Sequence, residues 1–136
     1  MLRVTGGLCA RSLIHLWGPV ILWMAGIFYF SSQSSLPSPF SSSRFDPFFH
    51  GIAHFGEYAI LSALLYRALV KHHQPLGLSF GLALLFALLD EFHQSFVPGR
   101  DAELRDLALD AAGMGLSLII IEGWSILRKK GKRNLT

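Results

Sequence analysis

The densest chemistry in the chain lies at residues 90–110, DEFHQSFVPGRDAELRDLALD, between two strongly apolar runs. Asp90, Glu91, Asp106 and Asp110 supply carboxylates, His93 an imidazole, Gln94 an amide, and Arg100 and Arg105 guanidinium groups. Pro98-Gly99 in the middle reads as a turn, by proline and glycine chemistry. A second constellation precedes this one. His50, His54 and Glu57 stand at i, i+4 and i+7, so a helix puts them on one face, with Tyr58 one turn after His54. Gln33, just beyond the first apolar run, adds another amide. Ionisable groups next to apolar runs of this kind are costly and need partners.

Three kinds of chemistry fit these residue types. The first is ligand binding. Arg100 and Arg105 offer guanidinium forks to phosphate or carboxylate, and Gln33 and Gln94 offer amide hydrogen bonds. On this reading the site is lined by Gln33, His54, Glu57, Tyr58, Asp90, Glu91, Gln94, Arg100, Asp106 and Asp110, with Arg100 foremost because the turn exposes it. The second is catalysis. His54, Glu57, Asp90, Glu91 and Asp110 are the residue types for a metal centre, or for acid–base work on a phosphate ester, and imidazole with carboxylate suits zinc or manganese. The spacing is not specific, however. His50-x-x-x-His54 lacks the glutamate of H-E-x-x-H, and no serine sits in a nucleophile motif, so no catalytic residue is assigned. The third is internal pairing, with Asp90, Glu91 and Asp110 held by Arg100, Arg105 and His54. Convergence of so many polar groups at one depth exceeds what helix pairing needs, which favours binding. Cys9 is the only cysteine and excludes an internal disulfide or a multi-cysteine metal site. No cofactor or resident metal is expected.

The frame for these groups is apolar. Of 136 residues, 51% are hydrophobic and only 15% charged, with a mean hydropathy of +0.43. A soluble domain is about a quarter charged. The expected fold is all-α: one domain over residues 1–136, a membrane four-helix bundle with spans near 13–30, 52–70, 76–92 and 107–125. The first run stays bulky and aromatic to its end and has no A-x-A-like site, which argues against a cleaved signal peptide. Trp17 and Tyr29 suit the two interfaces. Asp46-Pro47 reads as the N-cap and first position of the second helix. Gly77, Gly81, Ala108, Ala112 and Gly115 read as close-packing positions, while Asp106, Asp110, Gly113 and Ser117 share another face of the fourth helix.

The net charge is +3 and the isoelectric point about 9.4. Nucleic acid is not the expected partner. Arg128, Lys129, Lys130, Lys132 and Arg133 follow directly on an apolar run, the place of cations that anchor a helix end to headgroups. With four spans and the N-terminus inside, nine Lys and Arg fall on the inner side, and Arg44, Arg100 and Arg105 on the outer. The positive-inside rule then gives N-in, C-in. Residues 31–33, 50–58 and 90–110 all face outward on this count.

Three motifs carry a resemblance. Asp90-Glu91-x-x-Gln94-x-Phe96-x-Pro98-Gly99-Arg100 followed by Asp106, His54-Phe55-x-Glu57-Tyr58 with Leu61, and Phe30-Ser31-Ser32-Gln33-Ser34 together resemble the VanZ-like family over nearly the whole chain. The resemblance implies a small multi-pass protein of the bacterial cell membrane. The family's founding members are linked to resistance to glycopeptides of the teicoplanin type. It implies no particular reaction; beside it, the candidate ligands for an outward polar site are a lipid-linked wall precursor, a glycopeptide or a lipid headgroup. The chain departs from the family pattern at His50-Gly51, where Asp-Lys is frequent, and at Asp110, where Asn is frequent. The second departure puts a carboxylate where an amide network would otherwise stand.

Overall fold

A computed structural model of the chain describes residues 5–34, 46–100 and 103–133. Four helices make up the described fold, with no strand among the described residues: α1 Thr5–Ser31, α2 Asp46–Leu69, α3 Pro75–Gln94 and α4 Leu104–Arg133. α1, α3 and α4 run past the corresponding predicted spans at both ends, whereas α2 begins before its predicted span and ends one residue short of it. Asp46 and Pro47 open α2 as expected, but their side chains, like Phe40, Arg44 and Phe45 of the preceding loop, lie outside the described residues.

Local chemistry sets the breaks. α3 starts on Pro75, whose fixed φ and missing N–H suit a first helical position. Beyond its end, the Arg100 N–H closes a turn on the Val97 carbonyl at 3.1 Å. Gly99 sits at φ 80°, so Val97-Pro98-Gly99-Arg100 is a type II turn, proline first and glycine at the left-handed position.

α2 is the central helix. It packs against α1, α3 and, most extensively, α4. The core combines Val20 and Ile27 of α1, Tyr58, Leu61 and Leu65 of α2, Ala83 and Ala87 of α3, and Met114 of α4. One close approach fixes the α2–α4 pair: a Cβ on Gly113 would run into the Phe55 carbonyl oxygen.

This corrects the expected contact positions. Gly77, Gly81 and Gly115 have nothing within 4 Å of where a Cβ would stand, and Ala108 and Ala112 are exposed. The reason is rotation about the helix axes. α3 buries Ser79, Ala83, Ala87, Asp90, Glu91 and Gln94, which turns Gly77 and Gly81 outward. α4 likewise buries Asp106, Asp110, Gly113 and Met114. Polar side chains point inward here while Leu22, Leu89 and Ile119 point out. Two stretches, Leu13–Ser31 and Pro75–Gln94, are long and apolar enough to cross a membrane.

The end away from the polar motifs is tied more simply. Arg67 Nη2 donates to the His15 carbonyl at 3.0 Å, and the Tyr66 hydroxyl to Glu122 Oε2 at 3.2 Å. Glu122 thus pairs with Tyr66, while Arg128 lies over the Trp124 ring, 5.4 Å from its centroid.

Candidate functional site

The last turn of α3 begins the site. Asp90 and Gln94, one turn apart, share a face, and the end of α1 brings Ser31 to it. Ser31 Oγ donates to Asp90 Oδ2 at 2.8 Å, and Gln94 Nε2 donates to the same oxygen at 3.1 Å and to Ser31 Oγ at 3.2 Å. All three residues are buried. Next to this triangle, Glu91 Oε2 accepts the Glu103 backbone N–H at 3.0 Å. That bond ties the end of α3 to the start of α4, where backbone donors lack helical partners.

α2 and α4 contribute two histidine–carboxylate pairs, one turn apart. His54 Nδ1 lies 3.2 Å from Asp110 Oδ1, both buried, and His50 Nε2 lies 3.4 Å from Asp106 Oδ2. The two imidazole rings meet edge to face at 4.6 Å between centroids. Burial pushes the His50 imidazole below its usual range; His54 adds to this and Asp106 opposes it. These are the two ion pairs among the described residues. No lysine or arginine there neutralises a carboxylate.

Arg100 is half-buried, not displayed on its turn. Its Nε donates to the Gln33 carbonyl at 3.0 Å and its Nη2 to the Phe30 carbonyl at 3.3 Å. Gln33 therefore joins the cluster through its backbone, while its side-chain amide donates back to the Tyr29 carbonyl at 3.3 Å. Arg105 is exposed, and Asp106 takes His50 as its partner instead. Glu57 faces the charges of His54, Asp90, Asp110 and Arg100, and its main-chain carbonyl accepts Trp23 Nε1 at 2.9 Å. Tyr58 is fully buried, with its hydroxyl in the field of Asp90, Asp110, Glu57 and Glu91.

The structure thus gathers every sequence-predicted residue at one end of the bundle. It also adds residues that the spacing did not single out. Ser31 is the main-site donor to Asp90, and the Ser-Ser-Gln motif was the available signal for it. His93 stacks on Phe28 at 4.3 Å, with its Nε2 3.1 Å from Ser32 Oγ. The Glu103 backbone carried no sequence signal at all.

Four buried atoms in this cluster have no hydrogen-bond partner among the described residues: Tyr58 Oη, Asp90 Oδ1, Glu91 Oε1 and Asp110 Oδ2. Buried polar atoms are nearly always paired, so each such atom asks for an account. Three of the four are carboxylate oxygens, which makes the site rich in acceptors and poor in donors. His54, Glu91 and Asp110 each present a ligand atom within 4.8 Å of the other two, as do His50, His54 and Asp106. The arrangement can accept hydrogen bonds, hold a proton between an imidazole and a carboxylate, or surround a cation.

Compared with known proteins, residues 16–127 match a family model described as VanZ/LLP1. No curated protein and no solved structure matches the chain.

Proposed function

Because the chain belongs to the VanZ/LLP1 family, we propose that all four of its helices cross a bacterial cell membrane and that the cluster at their outer ends binds the polar head of an envelope ligand. Apolar side chains cover the outside of each helix, including Ile21 and Leu22 of α1, Ile52 and Ile60 of α2, Leu85 and Leu89 of α3, and Ile119 and Ile120 of α4. An outward apolar coat of this extent marks contact with lipid or partners. The charge bias of the loops sets the orientation as N-in, C-in.

The observation that carries the ligand reading is the set of four partnerless buried atoms, Tyr58 Oη, Asp90 Oδ1, Glu91 Oε1 and Asp110 Oδ2. Acceptors held apart from their own protein's donors suit a ligand that brings donors. Sugar hydroxyls and peptide amides do so, and a lipid-linked wall precursor or a glycopeptide carries both. A role of the glycopeptide-resistance type follows if the precursor is what the protein holds.

Tyr58→Phe separates this reading from helix pairing. The hydroxyl makes no bond within the fold, so its loss leaves the folded protein at least as stable. A ligand that uses the hydroxyl loses about 10-fold in affinity, the equivalent of a hydrogen bond of ~1.4 kcal/mol. Binding of a lipid-linked wall precursor to purified wild type and variant, read by native mass spectrometry, checks this. Equal binding by the two proteins, or none by either, sinks the ligand reading.

A second reading has one observation of its own. The His54–Asp110 pair orients an imidazole as a general base requires, which would serve hydrolysis of a lipid phosphate or wall precursor. Product release by wild type that His54→Gln abolishes would support it. Intact substrate with both proteins would not.

A further inference from the structure

We propose that His54, Glu91 and Asp110 form a binding site for a divalent transition-metal ion. The inference rests on the reading above for the place of the site, at the outer end of the bundle. It does not depend on the identity of any organic ligand.

The donor set comes first. One imidazole and two carboxylates, one each from α2, α3 and α4, bring their ligand atoms within 4.8 Å of one another. Two metal bonds of about 2.1 Å at a tetrahedral angle separate their ligand atoms by about 3.4 Å. His54 Nδ1 and Asp110 Oδ1 already stand 3.2 Å apart.

The second observation is independent of that spacing. Asp110 is 1% exposed and Glu91 8%, and each has one carboxylate oxygen engaged and the other without a partner. Glu91 Oε2 is fixed by the Glu103 N–H and leaves Oε1 free, the form of a carboxylate that binds a metal through one oxygen while the other is oriented by a hydrogen bond. Asp110 keeps Oδ2 free beside the Oδ1–His54 Nδ1 contact, whose shared proton a metal ion would replace.

Charge gives the third argument. Buried carboxylates are stable only when protonated, paired or metal-bound. Asp90 is held by hydroxyl and amide donors, Glu91 by a single backbone N–H, and Arg100 donates to backbone carbonyls. A divalent cation between Glu91 and Asp110 supplies the fixed positive charge that no lysine or arginine among the described residues gives them. Imidazole with carboxylates favours zinc or a neighbouring metal over magnesium or calcium, which take oxygen ligands. The same ion would open the site to a phosphate-bearing head, which bare carboxylates repel.

The test uses the full chain purified in detergent, stripped with a chelator and titrated with zinc alone. Wild type takes up about one zinc per chain in a saturable manner. Glu91→Gln and Asp110→Asn each raise the zinc Kd at least about 10-fold, while His50→Gln leaves it unchanged. Circular dichroism accompanies each variant to confirm that the helices remain. Absence of saturable zinc binding by folded wild type overturns the proposal whatever the variants do. So does loss of binding in His50→Gln with retention in Glu91→Gln, which would move the ion to His50, His54 and Asp106. Zinc uptake is measured without precursor and precursor binding through Tyr58→Phe, so either idea can fail while the other stands.

Discussion

The guanidinium of Arg100 donates from Nε to the Gln33 carbonyl and from Nη2 to the Phe30 carbonyl. The Phe30 carbonyl already accepts the Gln33 N–H at 3.1 Å, so the guanidinium adds a second bond there, engages the Gln33 carbonyl just past the helix, and faces the negative end of the helix dipole. Lysine cannot do the same. Its ammonium is a single point charge, whereas the two carbonyls are matched to separate nitrogens of a rigid fork. Arg100→Lys should therefore destabilise the fold by about 1–3 kcal/mol, read as a lower midpoint of unfolding in detergent. Unchanged stability together with lost ligand binding would return Arg100 to the ligand-contact role that its turn suggested. Residue types were legible in the sequence because acids, imidazoles and amides beside apolar runs have few uses. Their partners were not. Ser31 and Asp90 lie 59 positions apart, and spacing along a chain reports only which side chains share a helix face.

At the scale of elements, the α2–α4 contact is set by Gly113. A methyl group there meets the Phe55 carbonyl oxygen, a backbone atom that cannot turn aside as a side chain can. Gly113→Ala must push the helices apart, and with them the His54–Asp110 and His50–Asp106 pairs that bridge the same two helices. The expected cost is about 1–3 kcal/mol from overpacking. Gly115→Ala is the matched control, since its Cβ enters open space and alanine is the better helix former by ~1 kcal/mol. Thermal unfolding of the two variants side by side decides this: comparable losses, or none in Gly113→Ala, would remove Gly113 as the contact that spaces the pair. The sequence made all of these glycines look alike. Small residues permit close approach, but only the inward turn of Asp106 and Asp110 selects which small residue meets a neighbour. That turn is legible as the face shared by Asp106, Asp110, Gly113 and Ser117, whereas the partner across it is not.

For the whole molecule, the connections at the two ends divide the chain in one way. Ser31 with Asp90, and Arg100 with Gln33, join the end of α1 to the end of α3. Arg67 with His15, and Tyr66 with Glu122, join the opposite ends of α1, α2 and α4. All three polar motifs therefore share one end, whatever the orientation in a membrane. The alternation of four long apolar segments and breakers made the helix order legible before any packing was known. Which end faces out is a matter of charge. Lys and Arg near span ends are retained on the cytoplasmic side, and the motif end carries three of the twelve in the chain. Cysteines placed at Ser95 and at Lys130, in a background with Cys9 replaced by serine, test the result; both positions are exposed. A membrane-impermeant maleimide added to intact cells should label Ser95→Cys directly and Lys130→Cys only after permeabilisation. The opposite pattern would turn the cluster toward the cytoplasm, and labelling of both from outside would mean that an even number of segments crosses between them. The opposite pattern takes the site away from the envelope ligand while leaving the zinc site, which depends only on His54, Glu91 and Asp110, still to be judged by titration.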